Sequence, residues 1–372
     1  MTKYTPIYKE HVKLHAQIMD FQEWKMPIKY NDIKTEHLNV RKYVGIFDVS
    51  HMGEILITGS NALALCERLF TNNITKAING QALYCGMLTK NGTFIDDLIL
   101  YKFSQTKFLI CTNACNDKKD FIHIKQVANN EFSNKNLKII SLSNKYAQIA
   151  IQGPKSLKVL NKLLNEQLNI PFYHFTTKNI ILQNTYINLI ISRTGYTGEK
   201  GFEIFIPANR AIVLWKKLLE IGVTDNIMPC GLASRDSLRL EAGMCLYGNE
   251  IDETITPFEA RLNWITKLKK TISIIGKESL LKQKKIKIFK QLCGLELEKK
   301  FIARNGYYVM NKENKIVGKI TSGNIAYSLN KFIAMAYINH PFQTINTKLF
   351  IKIRNNLVQS KIVPLPFYKK RI

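Results

Sequence analysis

Three stretches of the chain hold residues whose types and spacing could do chemistry. The first is Asp96-Asp97, within ALYCGMLTKNGTFIDDLILYKF. Neighbouring side chains of a strand point to opposite faces, so one acid can meet solvent while the other enters a cavity. A carboxylate in an apolar pocket has a shifted proton affinity and can hold or polarise an amine nucleophile. The same pair also reads as two acids that close a hairpin. The second stretch is SRTGYTGEKGFEI, residues 192–204, where glycines surround Tyr196, Glu199 and Glu203. Glycine turns let backbone approach a planar ligand, and a carboxylate among apolar neighbours suits the paired N–H donors of an aminopyrimidine edge. On its own the segment reads equally as a surface loop followed by an exposed strand glutamate. The third is CGLASRDSLRLEAGMCLYGNEIDETITPFEA, residues 230–260. Arg235, Asp236, Arg239 and Glu241 sit at helical pairing distances, the ordinary surface arrangement. Arg235, near the helix start, can also fork onto a ligand carboxylate or carbonyl. His51, in FDVSHMGE, reads as a packed or hydrogen-bonded structural residue.

The elements that must position these residues follow from periodicity. Pro6 to Tyr43 reads as a helix-rich start broken at Pro6 and Pro27, leading into the apolar segment Val44 to Val49. EILITG predicts a strand and Asn61 to Phe70 an amphipathic helix. Asn91-Gly92 between two apolar runs is a strong hairpin signal. A strand over Lys107 to Thr112 precedes a helix from about Ala114 to Asn129, which makes an α+β unit with an antiparallel sheet. Tyr146 to Ile151, Asn184 to Ser192 and GFEIFIP read as strands, with helices through Leu164 and from Arg210 to Ile221. A loop from Pro229 enters a helix carrying Leu232, Leu238 and Leu240. After Gly276 a lysine-rich, linker-like segment leads to short strands at hairpin spacing, the mark of a small β-barrel or sandwich.

With 372 residues, 46% hydrophobic and 22% charged, the chain suffices for two or three globular domains. Its start has neither a secretory nor a transit-peptide pattern and reads as mature sequence. No apolar run approaches the roughly eighteen residues of a spanning helix, so a soluble, cytoplasmic protein without a membrane partner is expected. Seven scattered cysteines in mostly apolar context fit reduced thiols, and Cys111 with Cys115 predicts no metal site. The net charge of +26 is mostly lysine spread along the chain, with little arginine and no aromatic-interleaved basic motif. A nucleic-acid partner is therefore not expected. No G-x-G-x-x-G after a first strand, phosphate-binding loop, G-x-S-x-G or H-E-x-x-H occurs, which speaks against nicotinamide, flavin, ATP and common hydrolytic sites.

Taken in order, FDVSHMGE, YCGMLTKNGTFIDDLILY, SRTGYTGEKGFEI, RDSLRLEAGMCLYGNEIDETITP and GKITSGNIAYSLN resemble the T-protein family of the glycine cleavage system, the folate-dependent aminomethyltransferases. The opening TPIYKEHVKLHAQIMDFQEWKMPIKY is similar as well, so the likeness runs over essentially the full chain. The resemblance implies an α+β, three-domain cloverleaf around a central folate channel, closed by an all-β, barrel-like C-terminal domain. The implied division is a discontinuous folate-binding core of residues 1–50 plus 140–270, an α+β domain of 51–139 with the catalytic acid, and a barrel of 276–372. It also implies a catalytic Asp97, a pterin-edge Glu203, an Arg235 from the family's RD motif, and pocket positions Met52, Tyr84, Asn113, Tyr196 and Tyr368.

The expected reaction carries the methylene of an aminomethyl group on the dihydrolipoyl arm of H-protein to tetrahydrofolate, releasing ammonia. Tetrahydrofolate would be a co-substrate, with no metal, flavin or nicotinamide. Lipoylated H-protein would be the docking partner, and glycine decarboxylase and dihydrolipoyl dehydrogenase the other members of the system. A basic face suits an acidic carrier. ASRD stands where GARD is usual, and NGTFIDD where a double glycine is usual. The rival readings are a folate-dependent demethylase of the same fold and a non-catalytic folate-binding or nucleic-acid-binding module.

Overall fold

The computed structural model describes residues 2–132, 136–286, 288–354 and 356–369, so Lys370 of the PFYKK segment lies outside the described residues. The chain divides into two compact units. The first comprises Met1–Glu67, Asn73–Tyr84 and Leu98–Arg235, and the second Arg68–Asn72, Cys85–Asp97 and Asp236–Ile372.

The first unit is built on a six-stranded sheet in the order Phe175–Leu182, Thr185–Ser192, Gly201–Pro207, Tyr146–Gln152, Val44–Asp48, Ile227–Pro229. Every residue of Val44–Asp48 is buried, and all of Tyr146–Gln152 but its first. These are the continuous apolar runs of strands covered on both faces. Helices Ser156–Leu164 and Ala211–Gly222 supply Val159, Leu160, Leu214, Trp215 and Leu218 to the core over this sheet. A second sheet runs Gln81–Leu88, Phe94–Ser104, Lys107–Thr112, Gly53–Thr58, Lys138–Ser141.

In the second unit, six strands close a barrel in the order Lys290–Leu297, Lys331–Asn339, Ile316–Ala326, Tyr308–Met310, Lys348–Ile353, Asn356–Val363. Leu295, Val309, Ile320, Ala336, Leu349 and Ile351 fill its interior with no exposure. Closure leaves no free edge, which settles barrel over sandwich. The α+β class and the C-terminal barrel are as the sequence led us to expect. At the Asn91-Gly92 hairpin, Thr89 N donates to Thr93 O at 2.8 Å and Gly92 takes φ +79°.

The first forty residues depart from the expected helices. Only Tyr8–Lys13 and Ile33–Lys42 are helical, the latter started by Asp32, whose carboxylate accepts from Thr35 N at 3.0 Å. Between them Gln17–Phe21 and Trp24–Lys29 form a hairpin, with Phe21 opposite Trp24 and both Gln22 and Glu23 at positive φ. The turn is made by residues without glycine or asparagine, so its signal is invisible in the sequence. A strand beyond those expected, Phe175–Leu182, pairs with Thr185–Ser192 through a turn at Gln183 and Asn184, both at positive φ. The lysine-rich stretch is a helix, Lys277–Lys285, that buries little besides Leu280. Among the described residues no helix is long and apolar enough to cross a membrane.

Candidate functional site

In the first unit the glycine-flanked loop and the start of helix Leu232–Glu241 bring three of the expected residues together. Glu203 lies in strand Gly201–Pro207, buried in all but its last residue, and is 8% exposed, so it is no surface glutamate. Its Oε2 accepts from Thr194 Oγ1 at 2.5 Å, and that hydroxyl lies 2.9 Å from Ser192 Oγ. Burial raises the Glu203 proton affinity, against the pull of the Thr194 hydrogen bond and the Arg235 charge. Arg235 stacks its guanidinium 4.7 Å over the Tyr196 ring. Burial lowers the Arg235 pKa, while Glu203 and then Tyr196 oppose the shift. Its Nη1 is buried without a hydrogen-bond partner among the described residues. A buried guanidinium nitrogen left unpaired is costly unless something else occupies that direction.

The position of Arg235 is fixed from the other end of the unit. Glu36, fully buried on helix Ile33–Lys42, accepts from Gly231 N at 2.8 Å through Oε2 and from Tyr30 N at 2.6 Å through Oε1. A Cβ on Gly231 would stand 2.3 Å from the backbone of Ile28, so only glycine allows this approach. Arg235 N then donates to Gly231 O at 3.2 Å, and the turn that carries the guanidinium starts there.

Behind Glu203 lies an aromatic wall of Tyr101, Phe175 and Phe205, with Met52 packed against the same cluster. Tyr101 is edge-on to both phenylalanines at 5.4 Å, and burial, then the Glu203 charge, raises its phenol pKa well above normal. His51, 5% exposed, sits edge-on to Phe21 at 5.7 Å. Burial, then the Arg235 charge, holds its pKa at about 4, so the imidazole is neutral near pH 7. This fits a packed residue and not a base. Tyr84 and Asn113 are half-buried, and Asn113 O accepts from Asn116 N at 2.9 Å just before helix Asp117–Glu131.

Asp97 and Tyr368 belong to the second unit. Asp96 is fully buried and Asp97 half-buried, so neither acid is a solvated hairpin end. The Cys245 thiol is raised well above normal by burial, then by Glu250 and Asp97. Tyr368 N donates to Glu241 O at 2.8 Å, and the Glu241 carboxylate accepts from Ser328 N and Oγ.

The surface pairing expected for Arg239 and Glu241 is corrected here, because both are fully buried. Arg239 donates to Asp236 through Nε at 2.9 Å, to Glu250 through Nη1 at 2.7 Å and to Ser322 through Nη2 at 2.8 Å. Spacing along a helix looks the same whether its face is wet or dry. Sequence reasoning also missed Glu36, Thr194 and Gln152, for which the only available signals were the glycines they touch. Among the described residues no group of three or more His, Cys, Asp or Glu is placed to hold a metal ion.

Two family models match the chain: the GCVT N-terminal domain over residues 7–270 and the glycine cleavage T-protein C-terminal barrel domain over residues 290–369. An aminomethyltransferase of Oceanobacillus iheyensis is 42% identical over 369 residues, covering 99% of this chain and 98% of its own length. One from Thermosipho melanesiensis is 43% identical, with 99% and 97% covered. The crystal structure of glycine cleavage system aminomethyltransferase T from Bartonella henselae superposes with a TM-score of 0.91 at 30% identity, over 100% of this chain and 99% of that one.

Proposed function

Because the chain belongs to the glycine cleavage T-protein family, we propose that its buried Glu203 and its half-buried Arg235 and Tyr196 hold the pterin of tetrahydrofolate while Asp97 assists the transfer. The chain is an aminomethyltransferase of the glycine cleavage system, and enzymes of this kind use tetrahydrofolate as substrate. The observation that carries the residue assignments is the unpartnered Arg235 Nη1 beside a buried carboxylate. A pterin edge offers two N–H donors to a carboxylate such as Glu203 and a carbonyl to a guanidinium such as Arg235. Tyr196 holds the guanidinium plane, and Met52, Tyr84 and Asn113 contribute pocket walls, with Tyr368 a further aromatic contact.

The donor is the aminomethyl group on the dihydrolipoyl sulfur of H-protein. Its carbon–sulfur bond and its carbon–nitrogen bond break as the methylene becomes shared by two folate nitrogens. Ammonia leaves and the dihydrolipoyl arm regains its thiol. Asp97, half-buried next to the apolar Leu98, hydrogen-bonds the attacking amine and favours its nucleophilic form. The three-domain division, 1–50 with 140–270, 51–139 and 276–372, is part of the same proposal, as is a cytoplasmic site of action.

The test supplies aminomethylated H-protein and tetrahydrofolate and follows ammonia and methylenetetrahydrofolate. Asp97→Asn is expected to retain tetrahydrofolate binding and lose turnover by roughly two to four orders of magnitude. Unchanged turnover would remove Asp97 from the mechanism.

A further inference from the structure

We infer that Gln152 is a positioning residue for the folate acceptor: its carboxamide, aided by Arg41, holds the 193–202 loop so that Tyr196 and Glu203 present one surface. The inference rests on the assignment of those two residues to tetrahydrofolate. Gln152 ends strand Tyr146–Gln152, is fully buried, and stands opposite Gly201 in the ladder. Its Nε2 donates to Thr194 O at 3.2 Å and Phe202 O at 3.4 Å, and its Oε1 accepts from Thr197 Oγ1 at 3.0 Å. One carboxamide thus ties both ends of the loop and its middle, and only a group with two donors and an acceptor can do so.

The glycines on either side bear this out. A Cβ on Gly195 would stand 2.1 Å from Gln152 Oε1, and one on Gly201 2.4 Å from its amide. Neither glycine is among those with positive φ, so it is space for the carboxamide, not conformation, that excludes a side chain there. From the opposite side Arg41 donates through Nη1 to Thr197 O at 2.6 Å and pairs with Glu199 Oε1 at 3.3 Å, both side chains buried. Tyr196 lies in the chain between Thr194 and Thr197, both held by Gln152, and the Arg235 guanidinium rests on its ring.

Gln152→Glu keeps the shape but replaces the two N–H donors with a carboxylate that repels both carbonyls. Tetrahydrofolate binding to the full chain, read by titration, is expected to weaken on the order of tenfold, with kcat at saturating folate within about twofold of the parent. Arg41→Gln acts on the same loop from its other anchor and provides the measurement if Gln152→Glu does not fold. Its expected loss is smaller and in the same direction. The decisive arm is a cycle with Tyr196→Ala. If Gln152 acts through the loop, its substitution adds little once Tyr196 is gone. Fully additive losses, or folded variants of both anchors with unchanged affinity, would overturn the inference. A parent protein that does not bind tetrahydrofolate at all would instead sink the folate assignment beneath it.

Discussion

Arg235 and Arg239 stand one turn apart on helix Leu232–Glu241 and have opposite environments. Every nitrogen of Arg239 has a partner, from Asp236, Glu250, Ser322 or the carbonyl of Met244. Arg235 stacks on a ring, interacts with the charge of a buried carboxylate and keeps one buried nitrogen without a hydrogen-bond partner among the described residues. The first is finished by the fold alone, and the second is the one proposed above to be completed by tetrahydrofolate. A saturated buried arginine belongs to stability, whereas a buried guanidinium nitrogen left unpaired costs stability.

The sharpest way to break this comparison is to remove the saturated arginine. Arg239→Met leaves the Glu250 carboxylate buried with Leu246 N, at 3.0 Å, as its one remaining donor among the described residues. A loss of about 3–5 kcal/mol in urea unfolding is expected. A loss under about 1 kcal/mol would mean that the network is worth no more than a surface pair. Next in size, Arg235→Met should leave the unfolding midpoint unchanged or raised, because it removes an unmet desolvation cost. Its tetrahydrofolate affinity should fall by about 1.5–3 kcal/mol, roughly tenfold or more, as measured by calorimetric titration. Equal loss of stability in the two variants would erase the distinction.

Carboxylates extend the contrast with a smaller effect. One oxygen of Glu250 is met by Arg239, whereas Glu54 is 1% exposed and neither of its oxygens has a hydrogen-bond partner among the described residues. Burial, then the charge of Asp117, raises the Glu54 pKa well above its usual value. A raised folded-state pKa means that folding takes up a proton as pH rises above the ordinary value of 4.5. Stability is fully present below that value and is lost as pH climbs through the folded-state pKa. Glu54→Gln cannot titrate, so the midpoint of the variant relative to the parent should rise by a few degrees from pH 5 to pH 8 in thermal melts. A flat difference across that range would show that Glu54 does not carry the proton.

How much of this was legible in the sequence depended on whether the signal was local. The Asn91-Gly92 hairpin and the barrel strands announce themselves through turn chemistry and alternation. The hairpin at Gln22-Glu23 does not, because its positive-φ residues are ordinary ones held by the strands on either side. Helix Lys277–Lys285 escaped notice because almost nothing on it is buried except Leu280. At the candidate site, glycine punctuation drew attention to Tyr196 and Glu203. It could not show that a glutamine from another strand was the reason for two of those glycines. Nor could helical spacing tell that Arg239 and Glu241 face a dry network.

The packing of Gln152 against Gly195 and Gly201 also bears on how this loop can be changed, by selection or by design. Its contact to Thr194 spans 42 positions of sequence, yet the three residues share one small volume. An alanine at either glycine would collide with the carboxamide, and a smaller residue at 152 would leave both loop ends untied. A single substitution at any of these sites therefore disturbs the same contact, and variants that alter strand and loop together can rebuild it. A library that randomises 193–202 while holding residue 152 fixed would search a space the carboxamide has already closed.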